Sequence, residues 1–286
     1  MNKKGYTYII INIFILLMTL MLFICNYPFN ADMFVSNKDI FLFVIAALVV
    51  HSIKALRLYV ALYGSGICTI DYIKTYCKVT PVSIILPLKL GEIFRMYCYG
   101  YLINNYLKGV IVVLLDRFMD TAALITILTI CMLFIGKASS FVVYLFLLFL
   151  IFLFIIYKIF PNFSYFWKKY YLSAKATKRK LWSLKQLERL NKVYNEITQV
   201  VKGRGVILYL LSLVAWSVEL LNLMLITNLI SKEFINKISE YLMSALISNK
   251  VIELNKFIII SIIILLVVYF AIKFIEIVKK KEVCNR

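Results

Sequence analysis

The sequence has little of what soluble enzymes commonly use for chemistry. It contains one histidine, and its six cysteines form no Cys-x-x-Cys pair, so zinc and dithiol redox sites are not expected. It also has no Walker loop, no G-x-G-x-x-G, no G-x-S-x-G and no H-E-x-x-H motif. We therefore expect a protein that is not an enzyme and that needs neither a metal nor a cofactor.

Charged residues are scarce as well. Only 16% of the 286 residues are charged, whereas 63% are hydrophobic. A soluble domain of this size cannot hide so much apolar surface, so part of the surrounding solvent must be hydrocarbon. The charge that is present is mostly positive, with 33 Lys and Arg against 14 Asp and Glu. Because no basic stretch carries a nucleic-acid motif, we assign this excess to cytoplasmic loops that face anionic lipid.

Long apolar runs predict an all-α fold, a polytopic transmembrane helical bundle with about six spans. A bilayer core of about 30 Å needs about 20 apolar residues per helix. The segments that approach this length are residues 6–26, 40–59, 109–136, 141–157, 206–230 and 257–272. The first run is longer than a usual signal-peptide core and no A-x-A-like site follows it, so we expect an uncleaved span. Residues 1–286 then form a single transmembrane domain.

Residues 70–106 depart from this pattern. Two apolar pieces, each short for a span, flank Pro87-Leu88-Lys89-Leu90-Gly91-Glu92. Proline removes a helical hydrogen bond and glycine loosens the chain, so Pro87 and Gly91 predict a helix break. Broken backbone at membrane depth is tolerated only where it is buried in protein or lines a wet cavity. We therefore predict one re-entrant helical hairpin.

The placement of lysine and arginine predicts the orientation in the membrane. Residues 158–204 carry 12 basic residues and only two acids, so we expect a basic cytoplasmic loop over about 158–205. Near residues 181–200 this loop forms either a surface helix on anionic lipid or a solvated connector. Six spans plus a hairpin that returns to its starting side put both termini in the cytoplasm of the cell. The second span ends with basic residues that we expect to mark its cytoplasmic end: His51, Lys54 and Arg57.

Six further ionisable residues lie within the apolar segments, where charge is costly. They are Glu92, Arg95, Asp116, Arg117, Asp120 and Glu219. The spacing of three between Glu92 and Arg95, and of four between Asp116 and Asp120, puts each pair on one helix face. Two interpretations stay open. The charges pair only to fix helix packing, or they line a polar cavity that holds a lipid headgroup beside the broken helix, where transport sites commonly form.

Three motifs in residues 55–124 follow one another in a distinctive order. They are Ala55-Leu56-Arg57, Pro87-Leu88-Lys89-Leu90-Gly91-Glu92-Ile93-Phe94-Arg95 and Asp116-Arg117-Phe118-Met119-Asp120. This stretch resembles the flippase-like family of bacterial and archaeal membrane proteins that includes the transmembrane region of lysylphosphatidylglycerol synthetase. Trp216 and Glu219 are similar to the family's later Trp-x-x-Glu pair. The family's late Pro-Gly-Gly-x-Gly element has no counterpart, since residues 231–256 contain neither proline nor glycine.

The resemblance implies an integral membrane protein that handles lipids, by flippase-like translocation of an anionic phospholipid or a polyprenyl-linked glycan. Arg95 and Arg117 would then meet a phosphate, because the arginine fork donates bidentate hydrogen bonds to phosphate. The four acids would balance and orient them. The implied partners are these membrane lipids and envelope-biosynthesis membrane proteins, and no nucleic acid.

Two alternatives to translocation stay open. One is a non-transporting scaffold or accessory subunit of cell-envelope polysaccharide assembly, which the missing late element favours. The other is a membrane glycosyltransferase acting on a lipid-linked sugar. The family's soluble aminoacyl-transferase domain is missing from this sequence, so we do not expect the chain to make lysyl-lipid by itself.

Overall fold

The computed structural model describes residues 3–26, 37–86, 90–135, 141–173, 177–227 and 252–284. Regular structure in these ranges is entirely α-helical, which confirms the predicted all-α class. In chain order the helices are α1 (Lys3–Asn26), α2 (Asn37–Leu62), α3 (Thr69–Ile85), α4 (Leu90–Ile103), α5 (Tyr106–Ile135), α6 (Phe141–Ser173), α7 (Lys178–Val201), α8 (Gly205–Thr227) and α9 (Ile252–Cys284). Pro87 and most of residues 231–256 lie outside the described residues.

Five of the described helices are long and apolar enough to cross a membrane. The stretches that qualify are Tyr6–Ile24 in α1, Ile40–Leu62 in α2, Val143–Ser173 in α6, Gly205–Ile226 in α8 and Asn255–Glu276 in α9. Helix α5 is about 45 Å long and could also cross, but its first half carries Asp116, Arg117 and Asp120. Its place in the bundle therefore depends on how these charges are paired.

Helices α3 and α4 form the hairpin that the sequence predicted over residues 70–106. They are about 26 Å and 21 Å long, and they pack against each other. Gly91 lies in the first turn of α4, and a Cβ there would be 2.4 Å from Ser83 Cα of α3. Where α4 packs against α5, a Cβ on Gly109 of α5 would be 2.6 Å from Gly100 Cα of α4. Glycine at these positions lets α4 lie in close contact with both neighbours.

The segment 158–205, which we expected to be a loop, is largely helical. Helix α6 continues through Lys158 to Ser173, with Pro161 inside it, and so extends beyond the purely apolar stretch. Helix α7 then begins after Thr177, whose side chain accepts a hydrogen bond from the Lys180 backbone N–H at 3.4 Å. Of the two forms left open for residues 181–200, the structure has the helix, which packs on α5 and α6.

The turn between α7 and α8 lies at the same end of the bundle as the turn after α2. Arg204 Nη1 donates to the backbone oxygens of Tyr63 at 3.2 Å and Val60 at 3.5 Å. This contact fixes the relative sidedness of the two turns, and the basic residues of α7 predict that the shared side is cytoplasmic.

We expect exposed Cys68 and a cysteine introduced by Lys185→Cys on α7 to react from the same side of the membrane. Each would be tested in a background that lacks the other cysteines, with a membrane-impermeant maleimide. Labelling in inside-out vesicles, and protection in right-side-out vesicles, is expected for both. Labelling from opposite sides would contradict the contact made by Arg204, and labelling of both from outside would reverse the orientation.

Candidate functional site

Asp116 of α5 lies between two arginines from other helices. Arg57 Nη2 of α2 is 2.6 Å from Asp116 Oδ1, and Arg95 Nη2 of α4 donates to Asp116 Oδ2 at 2.8 Å. The side chains of Arg57 and Asp116 are 3% exposed and that of Arg95 is 5% exposed. A carboxylate is tolerated at such a place when it is paired and hydrogen-bonded. Asp116 therefore links α5 to both α2 and α4.

Arg57 is the centre of this arrangement. In addition to its contact with Asp116, its Nη1 donates to Asp120 Oδ1 at 2.6 Å and to Ser212 Oγ of α8 at 2.5 Å. The serine hydroxyl in turn donates to the Leu208 backbone oxygen at 3.1 Å. The planar fork of one guanidinium thus joins α2 to α5 and α8. Arg57 does lie near the end of α2, as the sequence suggested, but its side chain turns into the bundle.

Glu92 and Arg117 form a pair at the border of the buried centre, by which we mean Arg57, Arg95 and Asp116. Arg117 Nη2 of α5 donates to Glu92 Oε1 of α4. The Arg117 side chain is 44% exposed and that of Glu92 is 14% exposed, so this pair faces the surroundings of the bundle. It is the part of the arrangement that a molecule from outside would meet first.

Lys54 and Glu219 form a second bordering pair, between α2 and α8. Their Nζ and Oε2 atoms are 3.8 Å apart, and Lys54 is 22% exposed. Lys54 Nζ also lies 5.4 Å from the ring centroid of Trp216, a distance at which a cation interacts favourably with an indole. The Trp216 indole N–H donates to the Asp120 backbone oxygen at 3.3 Å. Trp216 therefore contacts both Lys54 and Asp120, and Asp120 is in turn paired with Arg57.

The structure brings all six predicted site residues together, and it adds two cations that the sequence interpretation left aside. The ionic cluster consists of Lys54, Arg57, Glu92, Arg95, Asp116, Arg117, Asp120 and Glu219. Four cations and four carboxylates make it formally neutral. The six predicted residues comprise two arginines and four acids, so their charges do not balance. This imbalance indicates that two further cations come from another part of the sequence, and α2 supplies them.

One side of α4 carries polar atoms that lack hydrogen-bond partners within the described residues. These buried atoms are Glu92 Oε2, Arg95 Nε and the Tyr99 hydroxyl. Arg95 Nη1 lies 3.8 Å from Glu92 Oε2, close enough for an ion pair and too far for a hydrogen bond. The cluster is therefore balanced in charge but not saturated in hydrogen bonds within the described residues.

Comparison with known proteins identifies a family for most of the chain. The family described as "Lysylphosphatidylglycerol synthase TM region" matches residues 10–233, which is more than half of the sequence. Every member of the ionic cluster lies within this match. Comparisons with curated proteins and with solved structures found no match.

We expect Arg57→Met to destabilise the protein by about 3–5 kcal/mol, because it leaves Asp116 and Asp120 buried beside too little positive charge. Arg117→Gln removes a partly exposed pair and should cost no more than about 1 kcal/mol. Unfolding of both variants and the unmodified protein in detergent micelles, followed by circular dichroism, measures the difference. Equal stability of the two variants would show that Arg57 is not the centre of the bundle.

Proposed function

We propose that this chain, which belongs to the family of the lysylphosphatidylglycerol synthase transmembrane region, binds the phosphate headgroup of an anionic lipid and translocates that lipid across the membrane. The family ties the chain to lipid handling within a membrane. The observation that carries the finer proposal is Arg117, a partly exposed arginine at the edge of an otherwise enclosed ionic cluster.

Arg117 is the group best placed to meet a headgroup. It is the most exposed member of the ionic cluster, whereas Arg57 and Arg95 are enclosed and already paired with Asp116. A guanidinium donates two parallel hydrogen bonds to a phosphate, which gives both attraction and orientation. We therefore assign the phosphate contact to Arg117 and give Arg95 a supporting role.

An arriving phosphate has to displace Glu92 from Arg117, since the cluster is neutral and offers no spare cation. Glu92 Oε2 already lies 3.8 Å from Arg95 Nη1, and Arg95 Nε has no hydrogen-bond partner among the described residues. A small rotation of Glu92 toward Arg95 would free Arg117 without leaving the carboxylate unpaired. The buried arginine thus receives the displaced acid while the exposed one holds the lipid.

A non-transporting scaffold in envelope assembly is the second candidate function. It is favoured by the pairing of Arg57 with Asp116 and Asp120, since such contacts also serve to hold a fixed bundle together. We propose no catalytic role for the cluster. Translocation is the property that separates the two candidates.

We expect the purified protein in liposomes to speed the flipping of fluorescently labelled phosphatidylglycerol, as measured by the fraction of label that dithionite can reach with time. Arg117→Gln should lose most of this acceleration, because the phosphate contact is removed while the buried centre stays intact. Arg189→Gln on α7 is the matched control, since it removes an exposed arginine outside the cluster. Labelled phosphatidylcholine tests whether the effect requires a net negative lipid.

Flipping no faster than in protein-free liposomes would reject translocation of this phospholipid. The same measurement with a labelled polyprenyl phosphate then tests the remaining anionic class. If neither lipid is moved, the scaffold becomes the better assignment. Equal rates for Arg117→Gln and Arg189→Gln would reject the phosphate contact at Arg117.

A further inference from the structure

A cavity lies between α2, α3 and α9, on the face of α2 that points away from the ionic cluster. Its volume is 440 Å³. Helix α2 lines it with one stripe of side chains at helical spacing: Leu48, His51, Ser52, Ala55, Leu56 and Tyr59. Arg57 lies on the opposite side of the helix, where it pairs with Asp116. The cavity and the ionic cluster are therefore separate features that share α2 as a wall.

The composition of the surrounding helices predicts that the cavity borders the hydrocarbon of the bilayer. Its walls include α2 and α9, which are both apolar enough to span a membrane. Leu48 and Leu56 at its border are 46% and 52% exposed, and α9 contributes Leu265 and Val268. A volume of 440 Å³ falls within the range of about 300–1,000 Å³ that is usual for a single bound ligand. A molecule that enters from this side is a lipid chain.

His51 is a buried polar group in this apolar lining. Its residue is 8% exposed, and its Nε2 atom has no hydrogen-bond partner in the described ranges. Its Nδ1 lies 3.3 Å from the Tyr76 hydroxyl. We assign the phenol as the donor to Nδ1, because the opposite tautomer would leave both the phenol hydrogen and Nε2 without partners among the described residues, whereas this one leaves a single unpaired N–H. Nε2 then carries the ring hydrogen and is a donor without an acceptor.

Neither of the neighbouring hydroxyl groups is a hydrogen-bond partner of His51 Nε2 in the described residues. Ser52 Oγ donates to the Leu48 backbone oxygen at 2.7 Å, and the Tyr72 hydroxyl donates to the Ala55 backbone oxygen at 2.5 Å. A saturated hydrocarbon chain would leave the Nε2–H group equally unsatisfied. A fitting occupant combines a long apolar chain with an oxygen acceptor attached directly to it.

We propose that this cavity binds one acyl-ester lipid, whose hydrocarbon chain fills the space between α2, α3 and α9 and whose ester carbonyl accepts a hydrogen bond from His51 Nε2–H. An ester carbonyl is the acceptor that acyl lipids carry at the start of each chain. The site does not depend on translocation or on the headgroup charge, since the ionic cluster lies across α2.

Native mass spectrometry of the full chain in detergent tests the proposal with two phosphatidylcholines that have the same chains, one ester-linked and one ether-linked. Both lipids carry the same headgroup, so any contact with the ionic cluster is equal for the two and cancels in the ester-to-ether ratio. We expect one retained lipid per chain and a preference of about fivefold for the ester, as one neutral hydrogen bond would give. His51→Phe should keep the chain contacts and bind both lipids equally.

A matched pair of alanine substitutions tests the location of the site. Ala55→Phe places a ring in the cavity and is expected to abolish retention of both lipids. Ala271→Phe makes the same change at an exposed position of α9 outside the lining and should bind as the unmodified protein does.

Equal retention of ester and ether lipids by the unmodified protein would overturn the proposal. So would lipid retention by Ala55→Phe equal to that of Ala271→Phe, or a lipid-free dimer formed through this face. If His51→Phe fails to fold, the ester-to-ether ratio of the unmodified protein and the alanine pair still decide the matter.

Discussion

The arrangement of the bundle depends on the pairing of Arg57 with Asp116 and Asp120. Helix α5 carries both carboxylates, with Arg117 between them, in a largely apolar stretch. Because Arg117 pairs with Glu92 of α4, the two carboxylates need cations from other helices to lie in hydrocarbon. Arg57 comes from α2, Arg95 comes from α4, and Ser212 of α8 completes the hydrogen bonding of Arg57. The neighbours of α5 are therefore selected by charge as well as by shape. Close contacts at Gly91 and Gly109 keep α4 near enough for Arg95 to reach across.

Apolar run length predicted the class of fold, and the Pro-x-x-x-Gly pattern predicted the hairpin. Ionisable residues inside apolar segments supplied six members of the ionic cluster. The inward turn of Arg57 could not be predicted in the same way. A basic residue near the end of a span can extend toward the headgroups or fold into the bundle, and the local sequence is the same in both cases. The charge balance of the whole interior distinguishes these two orientations of Arg57. Four acids need more positive charge than Arg95 and Arg117 supply, which favours the inward orientation.

The end of α6 is a second feature that the sequence did not predict. Hydropathy falls at Lys158, which suggested that the helix ends there, yet α6 continues to Ser173. Hydropathy reports which solvent a segment prefers, whereas a helix continues wherever its backbone hydrogen bonds can continue. The stretch that qualifies as a span also continues to Ser173, so the charge at Lys158 ends neither the helix nor the span. The amphipathic α7, with Leu187 and Val200 buried, extends the same helical structure along one end of the bundle.

The neutrality of the ionic cluster bears on the proposal that it binds a lipid headgroup. A cluster with a surplus of cations would hold an anionic headgroup tightly and would be unstable without it. Four cations balanced by four carboxylates need no ligand for stability, and a bound phosphate leaves the cluster with an excess of negative charge. Under the proposed mechanism, binding would be favourable only while Glu92 can turn to Arg95, and the return of Glu92 to Arg117 would expel the headgroup. Passage through a membrane requires binding that is strong enough to admit a ligand and weak enough to release it. A neutral cluster with one exposed and exchangeable arginine meets this requirement better than a permanently basic pocket does.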